Sequence, residues 1–362
     1  MLDPGKLGMP PPSRGVLSGE ERDALARAYD LGDWLTWQRT PKGRANVSFF
    51  VNNTRGRYVL RRSRSCKSEA SLRSEVSLIA YLRRQGYPAP EVIPTRRGEG
   101  YAEHDGTFYL LTAFIPGGPY DRANPRHLRA AGGGLGRYHR LARAFPGPSA
   151  SWPSADLPGL GPRGLSALEE VGRLAGRLLG ADEGNRLEEA LAYLRGQFLH
   201  ADRALAEVYP GLSKLVVQGS FTRSALIFDG DVLRGVVDYD RTAFEARGLD
   251  LAYALIAFCR IDDPTRNDYR VGFDYGRCRD FLAAHRAEEP LPQEEATALP
   301  LLCRGQRLLK VLKKCSKFLA KNAVVLPEVK DVRKLATRVE QKATRLRWLE
   351  GHGEELRAAF LD

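Results

Sequence analysis

The spacing of apolar and polar positions along the chain predicts strands and one long helix in the first third and mainly helices in the rest. Ser18-Gly19-Glu20-Glu21 has the form of a capping box, which predicts a helix to about Tyr29. Three short runs of strand character follow, at Asp33 to Arg39, Val47 to Val51 and Tyr58 to Arg61. From Ser68 to Gln85, Leu72, Val76, Ile79, Ala80 and Leu82 recur at helical spacing, and Gly86-Tyr87-Pro88 ends the pattern. Residues 101 to 103 and 108 to 114 read as a hairpin around His104-Asp105-Gly106, running into Ile115-Pro116-Gly117-Gly118. Helices are predicted at 127–144, 166–179 and 185–208, with a Pro-rich excursion around Trp152 at 150–162. The stretch LVVQGSFTRSALIFDGDVLRGVVDYD, residues 215 to 240, breaks this helical run. It offers three short apolar strands, at 215–217, 226–228 and 235–237, with a tight Asp229-Gly230 turn between the last two. Helices fill the chain from about Gly248, with a break near Val325 to Pro327.

A length of 362 residues is enough for two domains with cores of their own. The expected division is a Pro- and Gly-rich disordered tail at 1–15, a first domain at 16–114 and a second at 115–362. Hydrophobic content of 43% and charged content of 28% are those of a soluble globular protein. No apolar run approaches the roughly 18 residues of a membrane helix, and the N-terminus lacks the apolar core of a signal peptide. A cytoplasmic protein without membrane partners is therefore expected. The five cysteines form no CxxC pair, so free thiols are expected rather than a zinc site or a disulfide framework.

Net charge is +12, which favours an anionic partner: a nucleotide, a nucleic acid, or a phosphorylated or acidic substrate. No nucleic-acid motif accompanies the charge, and the basic residues are not interleaved with aromatics into a platform. Nucleic-acid binding is thus the weakest of these readings. One helix concentrates charge. Arg307, Lys310, Lys314, Lys317 and Lys321 share a face, with Leu308, Val311, Leu312, Phe318 and Leu319 opposite. The stripe suits an acidic peptide or anionic substrate, and equally a solvated lysine face.

Candidate chemistry concentrates in residues 215 to 240. Asp238 and Asp240 close an apolar strand, where carboxylates often face a ligand or metal. The segment resembles the catalytic stretch of the aminoglycoside phosphotransferase and homoserine kinase type II family, which reads His-Gly-Asp, five residues, an Asn, a hairpin and Ile-Asp-Phe-Asp. Gln218-Gly219-Ser220 stands where the family has His-Gly-Asp, with Ser220 at the catalytic Asp. Ala225 stands at the metal-binding Asn, while Val237-Asp238-Tyr239-Asp240 keeps its register.

The resemblance implies an α+β, two-lobed protein-kinase-like fold. A small antiparallel-sheet lobe with one long helix would precede a larger, mainly helical lobe. It implies that ATP or GTP is held by Arg61, paired with Glu75, by the loop at Asn46, and by backbone groups of Thr112, Ala113 and Phe114 at the adenine edge. The loop 42–46 also fits an ordinary hairpin turn. The resemblance implies Mg²⁺ at Asp238 and Asp240, weakened by Ala225. His139 and Asp250 read as structural, with Asp250 at a helix start holding the catalytic segment. Two functional expectations follow. One is a pseudokinase or partner-dependent component that binds nucleotide, a peptide or a partner protein, as kinase-like proteins do in peptide Ser/Thr modification. The other is an active phosphotransferase on a small-molecule or peptide hydroxyl.

Overall fold

The computed structural model describes residues 16–41, 47–63, 68–147, 152, 157, 159–323 and 326–362. The expectations for the tail at 1–15, for the loop carrying Asn46 and for Cys66 lie outside these residues. The chain divides into two units. One runs to Gly117 and takes in Arg234–Val237; the other comprises Gly118–Leu233 and Asp238–Asp362.

The first unit contains α1 (Gly19–Ala28), β1 (Trp34–Arg39), β2 (Val47–Asn53), β3 (Gly56–Arg62), α2 (Glu69–Arg84), β4 (Ala102–His104) and β5 (Thr107–Ala113). The five strands form one antiparallel sheet in the order β1-β2-β3-β5-β4. Leu17, Leu25 and Tyr29 pack with Phe49, Val51, Leu60 and Leu111 into its core. The capping box forms: Glu21 N–H donates to the Ser18 hydroxyl at 3.0 Å and Ser18 N–H to Glu21 at 2.7 Å. The same carboxylate accepts from Arg62 at 2.5 Å and from the Tyr109 hydroxyl. Burial alone would raise the Glu21 carboxyl, but the Tyr109, Ser18 and Arg62 donors outweigh it and hold the group below its ordinary range.

Helix α2 corrects the predicted apolar face. Leu72, Ile79 and Leu82 are buried as expected, but Leu78 and Glu75 join them, whereas Val76 and Ala80 are half-buried. A glutamate on the inner face is invisible to hydrophobic periodicity, because its partner comes from β3.

The second unit contains β6 (Gly118–Pro119), α3 (Pro125–Arg143), α4 (Leu160–Ala175), α5 (Ala181–Val208), β7 (Lys214–Val217) and β8 (Leu226–Asp229). The chain continues through β9 (Val232–Val236), whose residues from Arg234 onward fall in the first unit, and then β10 (Ala243–Ala246), α6 (Arg247–Phe258), α7 (Tyr275–Glu288), α8 (Gln293–Lys321), α9 (Val329–Gly351) and α10 (Gly353–Leu361). Strands β7 and β10 pair antiparallel, and β6, β8 and β9 form a second small sheet in that order. Strand β10 is not foreseen in the sequence; its four residues have a ladder only because β7 lies beside them. Helix α4 begins at Leu160, inside the stretch read as a Pro-rich excursion. Pro162 falls in its first turn, where a missing N–H costs nothing.

Buried Arg247 fastens the start of α6 to the following helices. It donates to Glu295 at 2.7 Å, to Glu289 at 2.8 Å and to the Pro290 carbonyl at 2.8 Å. Cys259, Cys278, Cys303 and Cys315 are free and buried. Among the described residues no helix is long and apolar enough to cross a membrane.

Candidate active site

Strand β7 delivers Gln218, Gly219 and Ser220 to a sharp turn. Gly219 has φ +71°, and a Cβ there would sit 2.2 Å from the Arg241 carbonyl oxygen, so only glycine fits. The turn is clamped by Asp250 in the first turn of α6. One carboxylate oxygen accepts from Gln218 N–H at 2.9 Å and the other from Gly219 N–H at 3.0 Å. The expectation that Asp250 holds this segment therefore has a direct geometric form.

Asp250 is held in turn. His139 Nε2 lies 3.3 Å from its Oδ2, and His139 Nδ1 lies 3.0 Å from His285 Nε2. Burial, aided by the nearby positive groups, pushes His285 well below its ordinary pKa, so it is neutral. The consistent arrangement has His285 Nε2–H donating to His139 Nδ1 and His139 Nε2–H donating to Asp250. His285 Nδ1 then carries no proton, in keeping with its lack of a partner among the described residues. Close approach of α3 and α7 makes this relay. A Cβ on Gly136 would meet the His285 carbonyl oxygen at 2.5 Å.

Gln218 is fully buried and ties the two halves of the segment together. Its amide nitrogen donates to the Asp238 carbonyl at 3.0 Å, and its amide oxygen accepts from Ser220 N–H at 2.7 Å. Asp238 adopts a left-handed conformation, φ +70° and ψ 56°, which Asp tolerates better than most residues. Its Oδ2 accepts from the Ser220 hydroxyl at 3.0 Å. Ala225 is buried and offers no donor atom where the family pattern has Asn. Asp240 follows Asp238 in a single 3₁₀ turn. Asp238, Asp240, Asp250 and Arg241 all act electrostatically on Tyr253 of α6, whose hydroxyl is pushed up chiefly by burial.

The carboxylates this segment offers to a metal are Asp238 and Asp240. Among the described residues no three His, Cys, Asp or Glu side chains converge to hold a metal ion. One oxygen of Asp238 is engaged by Ser220, and the second ligand position is an alanine. Mg²⁺ keeps one or two carboxylates and takes its other ligands from substrate phosphates and water, so only that minimal mode is left.

In the first unit, Arg61 of β3 and Glu75 of α2 meet at 2.6 Å with side chains 12% and 0% exposed. The pair named from the sequence is thus a buried ion pair. At the expected adenine edge some backbone groups are already engaged within the protein. Ala113 N–H is donated to the Glu91 carbonyl and Phe114 N–H to the Arg57 carbonyl, while the Thr112 hydroxyl bonds the Val59 carbonyl.

The basic stripe of α8 is not evenly exposed. Arg307 is buried, Lys310 and Lys314 are half-buried, and only Lys317 and Lys321 are exposed; Lys321 pairs with Asp331 at 2.9 Å. The half nearer α6 faces protein, with Lys310 Nζ 4.6 Å from the centroid of the Tyr253 ring. The sequence alone does not single out His285 or Tyr253, because nothing in the local pattern announces side chains that act through a distant helix.

Comparison with known proteins agrees with this geometry. Residues 36–288 match the phosphotransferase enzyme family. The chain is 27% identical over 294 residues to the homoserine kinase of Methylobacillus glycogenes, covering 80% of this chain and 82% of that protein. It is 26% identical over 344 residues to the homoserine kinase of a Bradyrhizobium species, covering 93% and 97%. Among solved structures, amicoumacin kinase in complex with AMP-PNP, Ca²⁺ and its antibiotic superposes with TM-score 0.64 at 13% identity, covering 89% of this chain and 92% of that one. An aminoglycoside phosphotransferase from Alicyclobacillus acidocaldarius gives TM-score 0.62 at 15% identity, covering 93% and 96%. The chain belongs to the phosphotransferase enzyme family and has its protein-kinase-like fold.

Proposed function

We propose that this protein is a nucleotide-binding, kinase-fold component whose own phosphoryl-transfer centre is degenerate: a pseudokinase, or the kinase-like half of a two-protein system acting on a hydroxyl-bearing substrate. The observation that carries this reading is the hydrogen bond from Ser220 Oγ to Asp238 Oδ2 at 3.0 Å. Phosphoryl transfer asks the protein to orient an acceptor hydroxyl with a carboxylate and to place a metal against the phosphates. Here the acceptor-orienting position is itself a hydroxyl donor, and it occupies the one carboxylate suited to the metal. Arg61, held by Glu75, remains suited to nucleotide phosphates, and Arg binds such groups bidentately. The exposed end of α8, at Lys317, suits an acidic segment of a peptide substrate.

A nucleotide that binds the native state must raise its stability. On this reading ATP or GTP raises the melting temperature, and magnesium adds little to the shift. Robust ATP consumption by the isolated protein, abolished in Asp238→Ala, would sink the reading.

One observation favours a second reading, an active phosphotransferase of a small hydroxyl compound such as homoserine. Relatives named homoserine kinase share 26–27% identity over most of both chains, and the Asp250 clamp is intact. That reading requires a base from elsewhere, such as Asp240 or a partner protein. Phosphorylation of homoserine by the isolated chain would establish it.

A further inference from the structure

Arg307, Lys310, Lys342 and Arg345 of the second unit are buried or half-buried, and among the described residues none has a carboxylate within ion-pair distance. Burying a cation is costly unless a carboxylate or a hydrogen-bonded network compensates it, and three other buried or half-buried arginines of this chain are paired. Buried Arg247 has Glu289 and Glu295, Arg62 has Glu21, and Arg61 has Glu75. Arg307 of α8 is 8% exposed, and among the described residues no carboxylate lies within ion-pair distance of it. Its Nε is buried with no hydrogen-bond partner among them.

The same holds for its neighbours. Lys310 lies one turn along α8, and Lys342 and Arg345 lie three residues apart on α9, which packs against α8. None has an ion pair among the described residues. The groups acting on Lys310 are Arg307, Lys342, Arg345 and Arg241, all positive. Burial and these neighbours push Lys310 down to about 7 and Lys342 to about 8. Phe273 and Tyr253 offer ring faces to Arg307 and Lys310, at 6.0 and 4.6 Å, but a ring face does not neutralise a charge.

We propose that Arg307, Lys310, Lys342 and Arg345 form a binding site for a phosphate monoester. A phosphate monoester carries close to two negative charges near neutral pH and presents three strong acceptor oxygens, which matches several converging cations better than a single carboxylate does. Arg241 places the site beside the catalytic segment. It follows Asp240 directly and acts on both Lys310 and Tyr253. The ligand is therefore a molecule that already bears phosphate, or the phosphorylated form of a substrate. The proposal does not depend on whether the chain itself turns nucleotide over.

The test is titration calorimetry at constant ionic strength, with O-phosphoserine, a phosphoserine-containing peptide and succinate as probes. Wild type is compared with Lys310→Met/Lys342→Met. These replacements remove buried like charges, so the folded variant should melt no lower than wild type. The expected result is binding of O-phosphoserine or the phosphopeptide, weakened at least about tenfold in the variant, as loss of charge-assisted hydrogen bonds requires. Preference for the peptide would assign the phosphate to a modified protein segment, and equal binding of both to a small metabolite. The proposal is overturned if neither phosphate probe binds, if succinate binds as well as they do, or if the variant binds as tightly as wild type. Should the double variant fail to fold, Arg345→Gln is read by the same titration and against the same outcomes.

Discussion

The Ser220 hydroxyl donates to Asp238 Oδ2 at 3.0 Å, joining the two positions that in an active phosphotransferase would each be a carboxylate. The bond spans 18 residues of sequence and is framed by Gln218, which holds Asp238 by its carbonyl and Ser220 by its N–H. The turn is therefore fully built, and on the proposed reading it presents a hydroxyl where an active enzyme would present a carboxylate.

The clamp beneath that turn is expected to be essential to the fold. Asp250→Asn keeps the shape but puts an NH₂ opposite one of two buried N–H donors. Its stability in a denaturant titration should fall by about 2–4 kcal/mol, the cost of an unsatisfied buried group added to a lost charged acceptor. A loss below about 0.5 kcal/mol would contradict the described role.

Glu75→Ala strands Arg61 without its partner inside the first unit. Breaking a buried pair from one side costs about 3–5 kcal/mol. A nucleotide supplies phosphates that can replace the carboxylate, so on the proposed reading ATP should stabilise the variant more than wild type. A thermal melt with and without ATP reads this directly. Equal shifts would separate the Arg61–Glu75 pair from nucleotide binding.

Gly219→Ala forces a Cβ against the Arg241 carbonyl at a residue with φ +71°. Strain in this region of backbone costs about 1–3 kcal/mol. The expected readout is a lower melting temperature; an unchanged one would mean that the turn adapts freely.

Stability should depend on pH through α8 and α9. Lys310 and Lys342 titrate near 7 and 8 in the folded chain, against 10.5 when unfolded. The groups facing them are Arg307, Lys314, Arg345 and Arg241, all positive, with Cys315 beside Lys342. A lysine whose folded value is depressed carries its full penalty below that value, and the penalty is relieved as pH rises through it. Between about pH 7 and 10 the unfolded chain binds more protons, so wild type should gain stability relative to Lys310→Met as pH rises. Parallel pH profiles for the two proteins would show that Lys310 does not titrate in this range.

Much of the fold was legible in the sequence, for local reasons. The capping box at Ser18 and Glu21, the Asp229-Gly230 turn and the apolar runs around residues 215 to 237 each specify their structure within a few residues. The unforeseen parts depend on contacts distant in sequence. Strand β10 exists only opposite β7. Glu75 is buried because β3 brings Arg61 to it. His139 reaches His285 across 146 residues. A helical wheel of α8 alone shows neither that Arg307 is buried and Lys310 and Lys314 half-buried, nor that Lys342 and Arg345 of α9 act on Lys310. At the site, the family resemblance singles out Ser220, Ala225 and Asp238, but not the bond that links Ser220 to Asp238.

On the proposed reading Ser220 and Ala225 remove turnover while leaving the frame intact. The most direct measurement compares phosphoryl transfer from ATP by wild type and by Ser220→Asp/Ala225→Asn under the same conditions. General-base assistance is worth about 100-fold or more, so the double variant should exceed wild type by at least about that factor, and adding Asp238→Ala should abolish the gain. Wild-type turnover equal to or above that of the double variant would contradict the account.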